Sequence, residues 1–415
     1  MKHNAMALGL LLTTTLAMGS TVAFAELAPV PRFSITADNA PESLTAMLGG
    51  SIEDTTEISV PGAAWLQLRF DAFALGPEGK LVITTPNGDV QNFTQDSLTA
   101  WDGKSAAFNG AELSILLEGV SGDVTIAEVM VGLPGATPEI AKERASETFF
   151  DFLGVGDMSR YMIDDVPPKT DDGSALPPDL EFGATIESIC TPVDKRVSSA
   201  HPYSGRLMPV GCTGWLIPGN LVLTAGHCVG SSMGWLEFNV PRSYLDGTTR
   251  PTEVKDQYPV IRSSVVSRFT GVGNDWAVFR VAPNTETNLL PSDAQGGHFE
   301  VSNTAEPTNV RITGFGVDGP APKFGNPPPR NGDNQTQQTH AGRVVRHTSS
   351  GSSSGTLKYR VDTQGGNSGS PVFAEDSNEI AIGIHTNGGC ATTGANAGTS
   401  FRNKALWNAI QPKTN

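Results

Sequence analysis

Residues 33–133 consist of short runs in which apolar and polar side chains alternate. A period of two places the apolar side chains on one face of a β-strand, and turn sequences such as residues 86–89 separate the runs. The pattern predicts a small antiparallel sandwich over residues 26–137, in which Trp65 and Trp101 are buried rather than exposed as a binding face. The runs that carry the prediction are residues 64–70, 80–84, 113–117 and 124–129.

The pattern changes in residues 138–182. Residues 138–153 begin with a proline and carry a partial apolar stripe, which predicts a helix. Residues 164–182 are acidic, rich in proline and without periodicity, which is typical of an exposed linker and of a site where proteases cut. We therefore expect the front unit to be removed or processed at this linker. A folding helper for the rest of the chain and a retained binding module are the alternatives.

Short strands return in residues 183–415, and a helix over residues 401–410, capped by Thr399 or Ser400, ends the pattern. Many short strands with one terminal helix predict a β-barrel architecture. Residues 317–341 and 349–355 are rich in Gly, Pro, Asn and Ser, which predicts surface loops. The strand-like runs are residues 215–217, 221–224, 276–281, 310–313 and 379–384.

The composition narrows the class of protein. Hydrophobic residues make up 38% and charged residues 17%, which excludes a highly charged disordered chain. The 46 Gly and 29 Pro favour β-structure with many turns. The net charge is −15, and almost all of the acidic excess lies before residue 181. A nucleic-acid partner is therefore not expected, because phosphate binding needs clustered Lys and Arg.

The N-terminus has the features of an export signal. Lys2 gives a positive start, residues 7–18 are mostly apolar, and residues 23–25 (AFA) form a small-x-small cleavage site, which predicts a signal peptide over residues 1–25. The apolar run is too short for a stable membrane insertion. Export implies a secreted protein in an oxidising compartment, where its 4 Cys can form disulfides in any of three pairings. No CxxC, HExxH or His cluster suggests a metal, and we expect no cofactor.

Three short stretches supply a His, an Asp and a Ser in that chain order. Acyl transfer needs a nucleophile, a base that takes its proton, and a buried carboxylate that orients the base. His227, Asp275 and Ser368 are the candidates for base, carboxylate and nucleophile. Glycines on both sides of Ser368 allow a tight turn, on which the backbone N–H groups of Gly366 and Ser368 can converge on an oxyanion. The stretches are residues 223–228 (LTAGHC), 273–278 (GNDWAV) and 365–371 (GGNSGSP).

Residues 185–412 resemble the trypsin/chymotrypsin-like serine peptidases at these motifs. The resemblance implies an all-β fold of two six-stranded antiparallel barrels, with His227 and Asp275 from the first barrel and Ser368 from the second. It also implies a disulfide between Cys212 and Cys228 that staples the histidine loop. Cys190 and Cys390 are then left to form a second bridge.

The bacterial branch of this family, which includes the glutamyl endopeptidases, is the more similar one. Its motifs match residues 212–217 (CTGWLI) and residues 365–371. Animal members carry an Asp directly before the nucleophile, which pairs with a new Ile or Val N-terminus. Asn367 stands at that position, and no IVGG sequence lies upstream. The resemblance therefore implies that this activation switch is absent.

Two readings of the substrate pocket follow from the resemblance. In glutamyl endopeptidases a His and a Thr receive the substrate carboxylate, and His385 and Thr363 stand at the matching positions. An imidazolium with a hydroxyl would bind an acidic side chain. Asp362 stands where trypsin-like enzymes place the Asp that attracts Arg or Lys, unless it faces away from the pocket. We favour Glu or Asp before the scissile bond.

The sequence thus predicts a secreted, monomeric serine endopeptidase over residues 183–415 that acts on proteins or peptides without a metal. A peptidase with Arg/Lys preference is one alternative. A non-catalytic adhesin or binding homologue is another, supported by the acidic front unit but opposed by the intact triad. An α/β-hydrolase esterase is opposed by chain order, since those enzymes run Ser, acid, His.

Overall fold

The computed structural model describes most of the chain. The predicted export signal at 1–25, the predicted helix at 138–153 and the linker at 164–182 lie outside the described residues. The structure describes residues 28, 30–45, 47–135, 189–190, 193–230, 232–318, 331–349, 354–375, 379–390 and 394–411.

The N-terminal sandwich, residues 30–135, has two four-stranded antiparallel sheets. Its strands are β1 (Arg32–Thr36), β2 (Thr55–Ser59), β3 (Trp65–Phe73), β4 (Lys80–Thr84), β5 (Val90–Phe93), β6 (Phe108–Asn109), β7 (Glu112–Glu118) and β8 (Val124–Gly132), with short helices α1 (Glu42–Thr45) and α2 (Gln95–Ala100). The sheet orders are β1-β8-β3-β6 and β2-β7-β4-β5. Alternate side chains of each strand enter one shared core, as the period of two requires, and Trp65 and Trp101 are both buried.

The first barrel is a closed ring in the order β10-β11-β12-β15-β14-β13. Its strands are β10 (Ser204–Pro209), β11 (Cys212–Ile217), β12 (Leu221–Thr224), β13 (Met233–Glu237), β14 (Gln257–Phe269) and β15 (Asp275–Val281). Every residue of β11 is buried. Leu216 fills the barrel, whereas Trp215 points the other way into a cluster with Phe373 and Phe401 of the second barrel.

The second barrel closes because β17 pairs with β16 as well as with β18. Its order is β16-β19-β20-β21-β18-β17, and β9 adds to the outer side of β17. The prediction of two six-stranded antiparallel barrels is confirmed. The strands are β9 (Val197–Ser198), β16 (Asn309–Gly314), β17 (Gln338–His347), β18 (Thr356–Tyr359), β19 (Pro371–Ala374), β20 (Ala381–Asn387) and β21 (Asn396–Ser400).

Two α-helices accompany the barrels in the part of the chain that the structure describes: α3 (Pro291–Ala294) and the terminal α4 (Lys404–Ile410). The expected cap of α4 is wrong. Asn403 caps it, because its side chain accepts the N–H groups of Ala405 and Leu406. Among the described residues, none of the helices is long and apolar enough to cross a bilayer.

The expectation of a surface loop over residues 317–341 is also wrong in part. Residues 331–333 form a 3₁₀ turn and β17 begins at Gln338. Asp318, Asn334 and Gln335 are buried. The Asp318 carboxylate accepts from Arg196 and Gln338, and the side chains of Asn334 and Gln335 donate to the carbonyls of Gly247 and Ala28. Polar composition was misleading here, since a polar segment can be buried where its hydrogen bonds are satisfied.

The N-terminal sandwich packs against the first barrel through an apolar cluster. Val30, Trp65 and Ala107 of the sandwich pack with Met208 and Trp235 of the barrel. The Trp65 and Trp235 rings meet edge to face with centroids 6.0 Å apart. Separation of the two units would expose these large side chains to water, which is unfavourable.

Buried polar contacts fix the same interface. The side chain of Gln257 accepts the Ala107 N–H at 2.9 Å and donates to the Ala107 carbonyl at 2.8 Å. The Asn109 side chain donates to the Pro251 carbonyl, and the Trp101 indole N–H donates to the Pro283 carbonyl. The interface thus combines an apolar centre with matched hydrogen bonds, as stable interfaces do.

This packing bears on the fate of the front unit after any cut in the linker. We expect the sandwich to stay bound. A specific protease site inserted between Asp171 and Asp172 of a Ser368→Ala chain should give, after cleavage, two fragments that co-elute on size exclusion. Gln257→Ala should weaken the pair by about tenfold, since it removes buried hydrogen bonds.

The matched control is Gln411→Ala, at an exposed position after α4, which should leave the pair intact. Fragments that separate without denaturant, and a C-terminal fragment that stays folded alone, would show that the sandwich is a removable segment.

Candidate active site

His227 and Asp275 form a buried pair on the first barrel. His227 lies on a 3₁₀ turn, Gly226–Cys228, directly after β12, and Asp275 begins β15. The His227 Nδ1 and Asp275 Oδ2 atoms are 2.7 Å apart, and the other carboxylate oxygen accepts the His227 backbone N–H at 3.0 Å. Among the described residues, His227 Nε2 has no hydrogen-bond partner. The pair leaves that nitrogen for another group.

Asp275 is held by the second barrel as well. Its backbone N–H donates to Thr399 Oγ1 at 3.0 Å, and the Thr399 hydroxyl donates to the Asp275 carbonyl at 2.8 Å. Thr399 is on β21, so the carboxylate that orients His227 is fixed from both barrels.

Ser368 lies on a tight loop, residues 365–370, before β19. Gly366 and Gly369 have φ of +95° and +91°, which other residues rarely adopt. Space excludes a side chain too, because a Cβ on Gly369 would lie 2.1 Å from the Thr213 carbonyl oxygen. The glycines around Ser368 are therefore required by conformation and by close approach to the first barrel.

Thr213 ties this loop to the first barrel. Its backbone N–H donates to the Ser368 carbonyl at 2.8 Å, and its hydroxyl donates to the Gly366 carbonyl at 2.9 Å. The Ser368 carbonyl also lies 3.9 Å from Sγ of Cys228, the residue after His227. Ser368 is thereby brought against the histidine turn.

Three backbone N–H groups of the loop are already used. Asn367 donates to Gln364, Gly369 donates to His385, and Ser370 donates to Asn367.

Two disulfides support the site, and both have the expected partners: Cys212 with Cys228, and Cys190 with Cys390. The first pins the histidine turn to β11. Ligand atoms of Cys212, His227 and Cys228 lie within 4.8 Å of one another. Since both thiols are consumed by the disulfide, only His227 remains as a ligand, and the cluster cannot hold a metal by itself.

His385, on β20, is buried with 1% exposure, and its Nδ1 is hydrogen-bonded to the Tyr359 hydroxyl at 2.6 Å. Burial, helped by the nearby His227, lowers the pKa of His385 to about 3. The imidazole is therefore neutral at neutral pH, and the expected imidazolium is wrong for the unliganded site. Burial raises the pKa of Tyr359, so its hydroxyl keeps its proton.

Thr363 is also buried, and its hydroxyl oxygen accepts the Asn396 side-chain N–H at 2.9 Å. A hydroxyl that accepts one bond retains a proton to donate. Asn396 is fixed in turn, because it also donates to the Val361 carbonyl and accepts the Cys390 N–H.

The Asp362 carboxylate accepts hydrogen bonds from backbone N–H groups of the segment before β9. One carboxylate oxygen accepts the Cys190 N–H at 2.7 Å, and the other accepts the Lys195 N–H at 2.9 Å. Both oxygens are thus engaged by backbone N–H groups, which gives no support to a cation-binding role.

Sequence reasoning missed Thr213, Thr399 and Tyr359. Thr213 lies within residues 212–217, which match a motif of the bacterial branch, so the sequence did mark this position. Thr399 and Tyr359 act through contacts between distant strands, and no local pattern marks them.

The fold and the pair of barrels around His227, Asp275 and Ser368 define a two-barrel, chymotrypsin-like architecture. The family model described as Trypsin matches residues 182–406. The chain therefore belongs to the trypsin family.

Two curated relatives each match about half of the chain. The "Extracellular metalloprotease" of Bacillus subtilis is 28% identical over 217 residues, and the "Glutamyl endopeptidase" of Bacillus licheniformis is 29% identical over 230 residues. The matches cover 50% and 51% of this chain, and only 60% and 63% of the relatives.

Among solved structures, a Glu endopeptidase in complex with MPD is 21% identical, with a TM-score of 0.40, and the match covers 54% of this chain and 97% of that one. The protease Anisep from Arthrobacter nicotinovorans is 14% identical with a TM-score of 0.36, covering 49% and 92%.

We expect Asp362→Asn to destabilise the fold without changing which peptides are cleaved. The amide can accept with only one atom, so the N–H group of Cys190 or that of Lys195 loses its partner, at a cost of about 1–3 kcal/mol where that group is buried, as at Cys190. Chemical denaturation measures this, with the exposed Asp293→Asn as control. Loss of a preference for cleavage after Arg or Lys would show instead that Asp362 contacts substrate.

Proposed function

We propose that the protein is a secreted serine endopeptidase that prefers an acidic residue before the scissile bond. The proposal of serine-peptidase catalysis rests on the buried His227–Asp275 pair, which lies beside the loop of Ser368. Thr213 holds this loop against the histidine turn. The trypsin family model and the relative named "Glutamyl endopeptidase" support the same reaction, whereas the name "Extracellular metalloprotease" of the other relative does not. The two disulfides, the AFA sequence at residues 23–25 and a relative described as extracellular support secretion.

In the proposed reaction the Ser368 hydroxyl oxygen attacks the substrate carbonyl carbon while its proton passes to His227 Nε2. Asp275 bonds Nδ1–H, which keeps Nε2 as the acceptor and stabilises the imidazolium that forms. His227 then gives the proton to the leaving amine as the C–N bond breaks. Water, activated by the same nitrogen, hydrolyses the acyl-enzyme and regenerates Ser368.

The negative charge that develops on the carbonyl oxygen needs donors fixed in advance. We assign these to the N–H groups of Gly366 and Ser368. The assignment is supported by the resemblance of residues 365–371 to the family's serine motif and by Thr213, which binds the carbonyls of Gly366 and Ser368 and so fixes this turn.

The hydrogen-bond donors of the pocket favour a carboxylate on the substrate side chain. If the Tyr359 hydroxyl donates to His385 Nδ1, Nε2 carries the proton and becomes a donor. Thr363, which accepts one bond from Asn396, still has its hydroxyl proton to donate and one lone pair. Two donors match the two oxygens of a carboxylate, whereas a Gln side chain offers one oxygen, and a protonated His385 Nε2 cannot accept from its NH₂ group. Selectivity would thus come from hydrogen bonding by a neutral imidazole.

Ser368→Ala should lower peptide hydrolysis by at least about 10⁴-fold, because the acyl-enzyme cannot form. Ser198→Ala, on the exposed strand β9, should be unchanged. EDTA should not affect the native protein, since the disulfide leaves His227 as a single ligand. Near-normal activity in Ser368→Ala, or complete loss with EDTA that zinc restores, would contradict the proposed mechanism.

Preference for Glu over Gln should be independent of pH between about 5.5 and 9. His385 is neutral above its pKa of about 3, so raising the pH removes no charge from the free pocket. The measurement is kcat/KM for peptides that differ only by Glu or Gln. A required imidazolium would instead make the preference fall about tenfold per pH unit.

The matched variants are His385→Ala and His298→Ala. Loss of a charge-assisted hydrogen bond should lower cleavage after Glu about 10–100-fold in His385→Ala and leave His298→Ala unchanged. Equal losses for Glu and Gln peptides would mean that His385 only supports the fold.

A further inference from the structure

The peptide that joins Gly365 to Gly366 has a fixed orientation. Its carbonyl oxygen, that of Gly365, accepts the Val317 N–H at 2.7 Å. The same trans peptide contains the Gly366 N–H, and in a trans peptide the C=O and N–H point in opposite directions. The bond from Val317 therefore fixes the direction of the Gly366 N–H.

Val317 is held in turn by a buried guanidinium. Arg196 Nη2 donates to the Val317 carbonyl at 3.0 Å and to Asp318 Oδ1 at 2.9 Å. Asp194 accepts from the same guanidinium with both oxygens, Oδ1 from Nε and Oδ2 from Nε and Nη2. Asp318 is fixed further, because its second oxygen accepts from Gln338 at 2.6 Å.

The guanidinium also lies close to the residue before Ser368. A Cβ on Gly316 would be 2.5 Å from Arg196 Nη1 and 2.1 Å from Asn367 Nδ2, so both side chains converge on Gly316. Arg196 has 3% exposure. Burial acts to lower its pKa, but Asp318 and Asp194 raise it above the usual value, so the side chain stays charged.

We propose that Arg196 is a positioning residue for catalysis: through Val317 and Asp318 it holds the Gly365–Gly366 peptide with the Gly366 N–H directed at the oxyanion. This rests on the proposed function. Arg196 touches no reacting atom, and its effect passes through one backbone hydrogen bond. The planar fork of Arg suits this role, because it binds a carbonyl and two carboxylates at once.

The test compares Arg196→Ala, Arg196→Lys and the exposed control Arg346→Ala in the full chain. Loss of one oxyanion donor costs about 10²-fold or more in turnover, so we expect kcat of Arg196→Ala to fall by about 10²-fold. Arg196→Lys keeps the charge but not the fork and should fall less. Added guanidinium ion should partly restore Arg196→Ala, and Arg346→Ala should match the parent protein.

A ground-state measurement separates positioning from a structural role. In the Ser368→Ala background, Arg196→Ala should bind an uncleaved peptide within about threefold of the parent Kd, because the oxyanion exists only in the transition state. Circular dichroism checks folding, and Arg196→Lys serves if Arg196→Ala does not fold.

The inference is overturned if a folded Arg196 variant keeps the parent kcat, or if peptide binding weakens by the same factor as kcat/KM. An active Ser368→Ala protein would overturn the proposed function itself, whatever the Arg196 variants do.

Discussion

Thr213 makes the contacts on which the arrangement of the site depends. Its N–H and hydroxyl bond the carbonyls of Ser368 and Gly366, and its own carbonyl accepts the Thr224 hydroxyl just before the histidine turn. One residue of the first barrel thus connects the loop of the second barrel with the end of β12, the strand directly before the histidine turn. Because these groups are buried, leaving any of them without a partner would be costly.

The second barrel makes the reciprocal contact through Thr399, which bonds the backbone of Asp275 on the first barrel. Each barrel therefore fixes the catalytic segment of the other, while the aromatic cluster around Trp215 fills the space between them. The proposed triad is then a property of the joined pair of barrels. A substitution between the barrels should affect turnover as well as stability, since catalysis is sensitive to small displacements.

Much of this arrangement could be predicted from the sequence. Alternation predicted short strands and a barrel architecture. The two-barrel fold and the Cys212–Cys228 bridge were implied by the family resemblance, and the Cys190–Cys390 bridge was the pair that remained. The His227–Asp275 contact agrees with the same motifs, and the roles of the triad remain proposals. Local patterns were sufficient where a short segment determines its own conformation, as the glycines around Ser368 do. They failed at the cap of α4, where Asn403 bonds the first N–H groups in place of Thr399 or Ser400.

The other failures concern burial and distant contacts. A sequence gives no measure of how far burial lowers the pKa of His385, so the expected imidazolium became a neutral ring. It does not show that Asp362 bonds Cys190 and Lys195, which are far away in the chain. Arg196 and Val317 join the site through folding alone, and neither belongs to a motif.

The central claim, that Ser368 attacks a carbonyl whose oxygen is received by the turn before it, is tested most directly by a crystal structure of the protein labelled with a peptidyl phosphonate. The account predicts a bond from Ser368 Oγ to phosphorus, with the phosphoryl oxygen within hydrogen-bond distance of the N–H groups of Gly366 and Ser368. Label on another residue, or a phosphoryl oxygen directed away from both N–H groups, would contradict it.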